Sequence, residues 1–294
     1  MNKQSAPLHL LDPKNDLTFK RIFGEHKHLC MSLLNSMLPL EKPIVSLEYQ
    51  TNELVPELTG ILRNTVLDVR CSDSEGRQFI VEMQLYWSDI FKSRVLFNAS
   101  KAYVMQLGKG QKFNLLQPVY ALNFVNETFE NASEMKDEYY HHYKIVNVKD
   151  TGKQIKGLEF VFIELPKFKP LNRAEKRLHE LWLRFLTEIN EATTEIPAAL
   201  LENELTREAV KCVEIGAYSK AQLNAYDQWR IDTMTALGVK EYEATKNEAI
   251  GLQKGLKKMA LSLAKVGCPV ETIAAETGLT VEQVSEMLKN KNAG

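Results

Sequence analysis

The sequence predicts an α/β fold in which a mixed sheet flanked by helices is followed by an all-helical C-terminal region. Three observations carry that prediction. Up to about residue 165, apolar runs of strand length alternate with segments of helical period. The polypeptide then passes Pro166 and Pro170, beyond which strand signals become scarce. Leu178, Leu181, Trp182, Phe185, Leu186 and Ile189 next open a series of amphipathic helical patterns that continues to about Met287. These signals place a boundary near residue 170, with one domain over 1–170 and a helical one over 171–294.

Each element has a local reason. Asp12-Pro13-Lys14-Asn15-Asp16 interrupts structure and offers an N-cap, after which Leu17, Phe19, Ile22 and Phe23 cluster as on a helix until Gly24. A second helix runs from His28 to Met37, with Leu29, Leu33 and Leu34 inward and Pro39 as its stop. Ile44 to Leu54 has strand character before Pro56 and Gly60 interrupt it. Val66–Arg70 and Phe79–Gln84 then flank a polar, glycine-containing segment, which is the pattern of a hairpin. Asp89 to Gly108 reads as a helix, with Ile90, Val95, Phe97, Ala102 and Met105 among the apolar residues at helical separations. Val119–Val125 is nearly all apolar, as in a buried central strand, and Tyr139–Val148 and Leu158–Leu165 are two further strands.

In the helical region, Lys240–Lys258 reads as a charged connecting helix weakened by Gly251 and Gly255. Residues 261–288 read as a helix-turn-helix-like unit. Ala274, beside Ile273, lets two helices approach, Gly278 makes a left-handed turn, Thr280 caps the second helix and Val284 closes the small core. That second helix presents Glu282, Gln283, Glu286 and Lys289, more acid than phosphate contacts favour.

Composition narrows the function classes. A hydrophobic content of 44% and a charged content of 26% suit a folded chain with real cores. The net charge of −1 supplies no global basic field, so nucleic acid would have to be held by a local basic cleft. Cys30, Cys71, Cys212 and Cys268 are too scattered for a zinc knuckle or a disulfide framework, which fits a reduced, cytoplasmic setting. No apolar run approaches a membrane span, and Met1–Ser5 leads into no signal-peptide core. No P-loop, dinucleotide-binding glycine pattern or Ser/His/Asp signature is visible. His141 and His142 are adjacent on a strand and point to opposite faces, so packing or solvated roles are expected of them.

Within the hairpin a carboxylate interrupts each apolar run. Strand side chains alternate, so Glu82 and Gln84 share a face opposite Phe79, Val81 and Met83. If the runs pair, Asp68 comes close to Glu82, and two converging acids call for a cation or solvent to relieve their repulsion. Mg2+ is commonly held by one or two carboxylates plus waters and substrate phosphates, so this pair suits phosphodiester hydrolysis. The ordinary alternative is a polar strand face with Asp68 paired to Arg70 or Arg77.

Asp68, thirteen intervening residues and Glu82-Met83-Gln84 resemble the PD-(D/E)XK nuclease core in its Glu-x-Gln form. Asp16-Leu17-Thr18-Phe19-Lys20 with Phe23, Leu67-Asp68-Val69 and Val81-Glu82-Met83-Gln84 are similar to one branch of that superfamily, the Rpn recombination-promoting nucleases, also described as transposases. Arg94, Tyr103, Gln106-Leu107 and Gly110 fit the family's following helix and turn, and Ile273-Ala274 with Thr277-Gly278-Leu279 resembles its C-terminal segment.

The resemblance implies a restriction-endonuclease-like fold and a Mg2+-dependent (or Mn2+-dependent) DNA endonuclease linked to recombination or mobile elements. Asp68 and Glu82 would be the metal ligands, with the backbone carbonyl of Met83 as a third candidate. Gln84 stands where the superfamily's usual Lys sits, and a neutral amide orients water but supplies no charge. Lys20, Lys92, Arg94 or Lys101 would have to supply it, and Lys20, Arg94 and Lys101 are the candidates for phosphate contact. Asp16 is either an accessory acid or an N-cap. DNA is the expected partner, and double-strand cleavage would call for a homodimer. A reading of another class is a catalytically weak or inactive transposase-derived protein that binds DNA or protein.

Overall fold

The computed structural model describes residues 9–54, 65–130, 133–170 and 177–289. In chain order its elements are α1 (Asp16–Glu25), α2 (Lys27–Met37), β1 (Glu48–Tyr49), β2 (Glu53–Leu54), β3 (Thr65–Val66), β4 (Val69–Ser72), β5 (Gln78–Gln84), α3 (Asp89–Val104), β6 (Val119–Val125), β7 (Tyr140–Asn147), β8 (Asp150–Glu164), α4 (Leu178–Glu188), α5 (Ala198–Glu202), α6 (Glu204–Cys212), α7 (Lys220–Lys265), α8 (Val270–Thr277) and α9 (Val281–Lys289).

Six strands form a mixed sheet in the order β1-β4-β5-β6-β8-β7, and β2 and β3 make a separate short ladder. β5, β6 and β8 run parallel and the outer strands antiparallel. The crossover from β5 to β6 goes through α3, as a parallel pair requires. β6 is central, and all but Tyr120 of its seven residues are buried, in keeping with its unbroken apolar run.

The period-two alternation of the strands splits the core in two. Phe79 and Val81 of β5 pack with Phe19, Phe23, Leu33 and Trp182 on the face covered by α1, α2, α4 and α6. Ile80 and Ala121 pack on the other face with Phe91, Val95, Ala99 and Ala102 of α3. The buried stripe of α3 is thus Phe91, Val95, Ala99 and Ala102, whereas Ile90, Phe97 and Met105 face outward. Helical spacing alone does not say which of two apolar stripes meets the sheet.

The chain divides into two compact units, Met1–Tyr226 and Asp227–Gly294. The first therefore continues well past residue 170. Trp182, Phe185 and Leu186 of α4, with Ala209 and Val210 of α6, complete the core on which α1 and α2 lie. A cut at Pro170 would pass through one hydrophobic core, which these helices share with the sheet, α1 and α2. The second unit has a small core in which Ala260 of α7 meets Ile273, Ala274 and Val284. Gly278 ends α8 at φ 67°, the left-handed turn expected of it. Thr280 and Gln283 cap each other's backbone N–H at 3.2 and 2.9 Å at the start of α9, a capping-box arrangement. Among the described residues no helix is long and apolar enough to cross a membrane.

Candidate active site

The hairpin of β4 and β5 pairs Val69 with Val81. One step further along this register, Asp68 falls beside Glu82. Asp68 sits in a bend where the strand alternation breaks: Leu67 packs on the α3 side, while Val69 and Cys71 pack on the other. Asn52 clamps the bend, donating its Nδ2 to the Asp68 carbonyl at 3.0 Å and accepting from Arg70 N at 3.1 Å. No sequence signal pointed to Asn52, which lies in a short irregular stretch. The carboxylate of Asp68 then accepts a hydrogen bond from Met83 N at 2.8 Å. Neither arginine of the hairpin takes it: Arg77 pairs with Asp73 at 2.6 Å, and Arg70 donates to Gln78 at 3.0 Å.

Glu82 lies on the face of Ile80, toward α3. Its Oε1 is buried without a hydrogen-bond partner among the described residues. A buried carboxylate oxygen without a partner is costly unless it is protonated or meets a cation. Accordingly, burial and then the charge of Asp68 push the Glu82 carboxyl up to about 8, against the pull of Arg94 and Lys20. Burial also raises Asp68, to about 6; the Met83 N–H opposes this and neighbouring Asp16 adds to it. The two acids titrate as a pair.

The N-terminus of α1 supplies the rest. Asn15, not Asp16, is the N-cap, its Oδ1 accepting from Leu17 N at 2.8 Å. Asp16 is thereby left in the first turn, where it holds Lys20 at 2.7 Å one turn on. The Lys20 ammonium also stands 3.7 Å from Asp68 Oδ1. Burial pulls Lys20 down, but the hydrogen bond to Asp16 and the charges of Asp16, Asp68 and Glu82 together hold it above its ordinary value.

Gln84 is held at both ends of its amide. Its Oε1 accepts from Arg94 Nη2 at 2.5 Å, and its Nε2 donates to the Tyr86 carbonyl at 2.7 Å. The Arg94 guanidinium lies 4.9 Å from the Phe91 ring centre. Asp16, Lys20, Asp68, Glu82, Gln84 and Arg94 therefore come together. Lys101 stands apart: seven residues beyond Arg94, about 10 Å further along the helix, it is only 5% exposed, its ammonium 5.8 Å from the Phe97 ring centre. Burial lowers its pKa. Lys92, partly buried, turns to other rings, 4.9–5.5 Å from the centres of Phe129, Tyr143 and Trp87. His141 and His142 each take a carboxylate of their own, Glu164 at 2.7 Å and Glu159 at 2.8 Å.

Among the described residues no group of three or more His, Cys, Asp or Glu side chains is arranged to hold a metal. The hairpin nevertheless brings two acids together, one with an orphaned buried oxygen. Two carboxylates leave the remaining positions of an octahedral ion to water and phosphate, which suits Mg2+. The residues present fit such an ion.

A mixed sheet with helices on both faces, and an acidic pair beside a lysine where β4 meets the end of β5, defines a restriction-endonuclease-like α/β protein. The chain belongs to the PD-(D/E)XK nuclease family transposases, whose family model matches residues 13–233. That match spans the whole of the sheet and the helices α1 to α6, and leaves α8 and α9 outside. No curated protein and no solved structure matches the chain.

Proposed function

We propose that the protein is a divalent-metal-dependent DNA endonuclease acting in recombination or mobile-element movement, with Asp68 and Glu82 as ligands of Mg2+ or Mn2+. The observation that carries this reading is the buried, unpartnered Glu82 Oε1 beside Asp68, two acids that each gain from a cation. Family membership supports nuclease chemistry and DNA as substrate. When bound, the metal would supply Lewis acidity toward the scissile phosphate and lower the pKa of a bound water.

The side chains divide the remaining work. Lys20 supplies the positive charge that Gln84 lacks: its Nζ, 3.7 Å from Asp68 Oδ1, stands where it can stabilise a hydroxide-like nucleophile or the phosphate it attacks. Asp16, in contact with that ammonium, orients it and keeps it protonated. Gln84 acts through Arg94. The amide holds the guanidinium beside the end of β5, where it can meet a phosphate oxygen.

Incubating the purified protein with supercoiled plasmid and Mg2+, beside Asp68→Ala and Glu82→Ala, tests the reading. Nicking by the wild type and its loss in both variants is expected. Equal activity in all three would overturn it, and a wild type that binds DNA without cutting in Mg2+ or Mn2+ would favour the inactive, DNA-binding alternative.

A further inference from the structure

We infer that α7 is one strand of a parallel, in-register coiled coil formed with a second copy of this chain. The helix is 46 residues long. From Asp227 to Met259 none of its described side chains is buried. Gly238, Gly251 and Gly255 all fall in this stretch. An exposed helix weakened three times by glycine does not hold itself together without a partner.

The stretch carries a seam for one. Alternate steps of four and three residues from Ile231 land on Tyr242, Leu252, Leu256 and Met259, with the small Gly238 and Ala249 between them. That 3.5-residue period keeps one face toward a partner over about 40 Å. Ile231, Tyr242, Leu252 and Met259 are 56, 69, 64 and 42% exposed. The same steps pass through Thr235 and Thr245, whose hydroxyls are turned back onto the carbonyls of Ile231 and Glu241 at 2.8 and 2.9 Å. Their hydrogen bonding is satisfied within the helix, which leaves the methyl groups for the seam.

The flanking residues select a second copy and an orientation. In the register set by this seam, Glu241 and Lys246 occupy the positions that meet across a parallel pair, five residues apart. Each chain's Glu241 therefore faces the partner's Lys246, twice by symmetry. Met234 and Val239, 68 and 53% exposed, stand in the same relation and give an apolar contact there. Pairing over this length buries on the order of 800 Å2 per copy, the amount a stable dimer needs. The inference does not depend on the active site, although a dimer would join the two cutting units that double-strand cleavage requires.

The test is the mass of the full-length protein in solution. At tens of micromolar, a mass of about 67 kDa, twice 33.6 kDa, is expected by light scattering. Glu241→Lys and Lys246→Glu should each weaken the dimer about tenfold or more, and the double variant should restore it. A charge swap of this kind separates a broken interface from a misfolded chain. Tyr242→Lys with Leu252→Lys should give a monomer with reduced helix content by circular dichroism. A wild-type monomer would overturn the inference. So would single variants as dimeric as the wild type, or a double variant no better than the singles, which would point to another orientation or another occupant.

Discussion

Glu82→Gln is the most telling substitution, because it keeps shape and hydrogen-bonding capacity while removing one ionisation. In the folded protein burial and Asp68 hold the Glu82 carboxyl at about 8 rather than its ordinary 4.5. Between those values the folded chain keeps a proton that the unfolded chain has released. Stability therefore falls as pH rises through this window, and the contribution is fully present only below the unfolded value. At about 1.4 kcal/mol per pH unit the interval corresponds to on the order of 5 kcal/mol for a rigid site, less once water reaches the carboxylate. The variant cannot ionise. It should match the wild type near about pH 5 and exceed it by a few kcal/mol at about pH 8.5, read from urea midpoints in the presence of EDTA. Mg2+ should then raise the stability of the wild type at the higher pH, by about 2.7 kcal/mol at a hundredfold excess over its dissociation constant, and leave the variant unchanged. Parallel pH profiles for the two proteins would refute the picture of Glu82 as a desolvated acid awaiting a cation.

Four further outcomes are expected. Lys20→Met should slow plasmid nicking by about a hundredfold while leaving Mg2+-induced stabilisation in place, a split that separates a role in the reaction from a role in metal binding. Trp182→Ala empties a fully buried site facing Phe23 at 5.5 Å, and should lower stability in urea by about 3–5 kcal/mol. Asn15→Ala removes the cap of α1 and should lower the Tm by an amount equivalent to about 1 kcal/mol, with a larger proportional loss of activity because Asp16 and Lys20 ride on that turn. Gly278→Ala meets open space but a left-handed backbone at φ 67°. It should cost about 1–2 kcal/mol, seen as faster amide exchange in α8 and α9 with exchange in the sheet unchanged.

Much of this molecule is written in short-range pattern. Period two in Phe79–Gln84 and period 3.6 in Leu178–Ile189 are local properties, and they yielded a strand and a helix where they were expected. Alternation along β5, with the turn between the strands, likewise brought Asp68 beside Glu82, since pairing two short strands across a tight turn leaves little freedom of register. Gly278 and Thr280 were legible for the same reason: a left-handed turn and a helix cap each depend on a few neighbouring residues.

Other decisions were made by contacts between residues far apart in sequence, which no window of the chain encodes. Lys20 is the residue beside Asp68 because α1 packs Phe19 and Phe23 on the sheet and so aims its polar side at the β4 bend. Asp16 is left to hold that lysine because Asn15 took the cap. Of the lysines equivalent to Arg94 in sequence terms, Lys101 was covered by packing and Lys92 was drawn against the Phe129 ring. The helices beyond Pro170 joined the first core because one sheet face needed apolar cover that α1 and α2 alone did not supply. The sequence by itself thus determined the elements and the acidic pair. Only the tertiary structure decided which charges surround that pair, because burial and Coulomb interaction depend on distance in space and not along the chain.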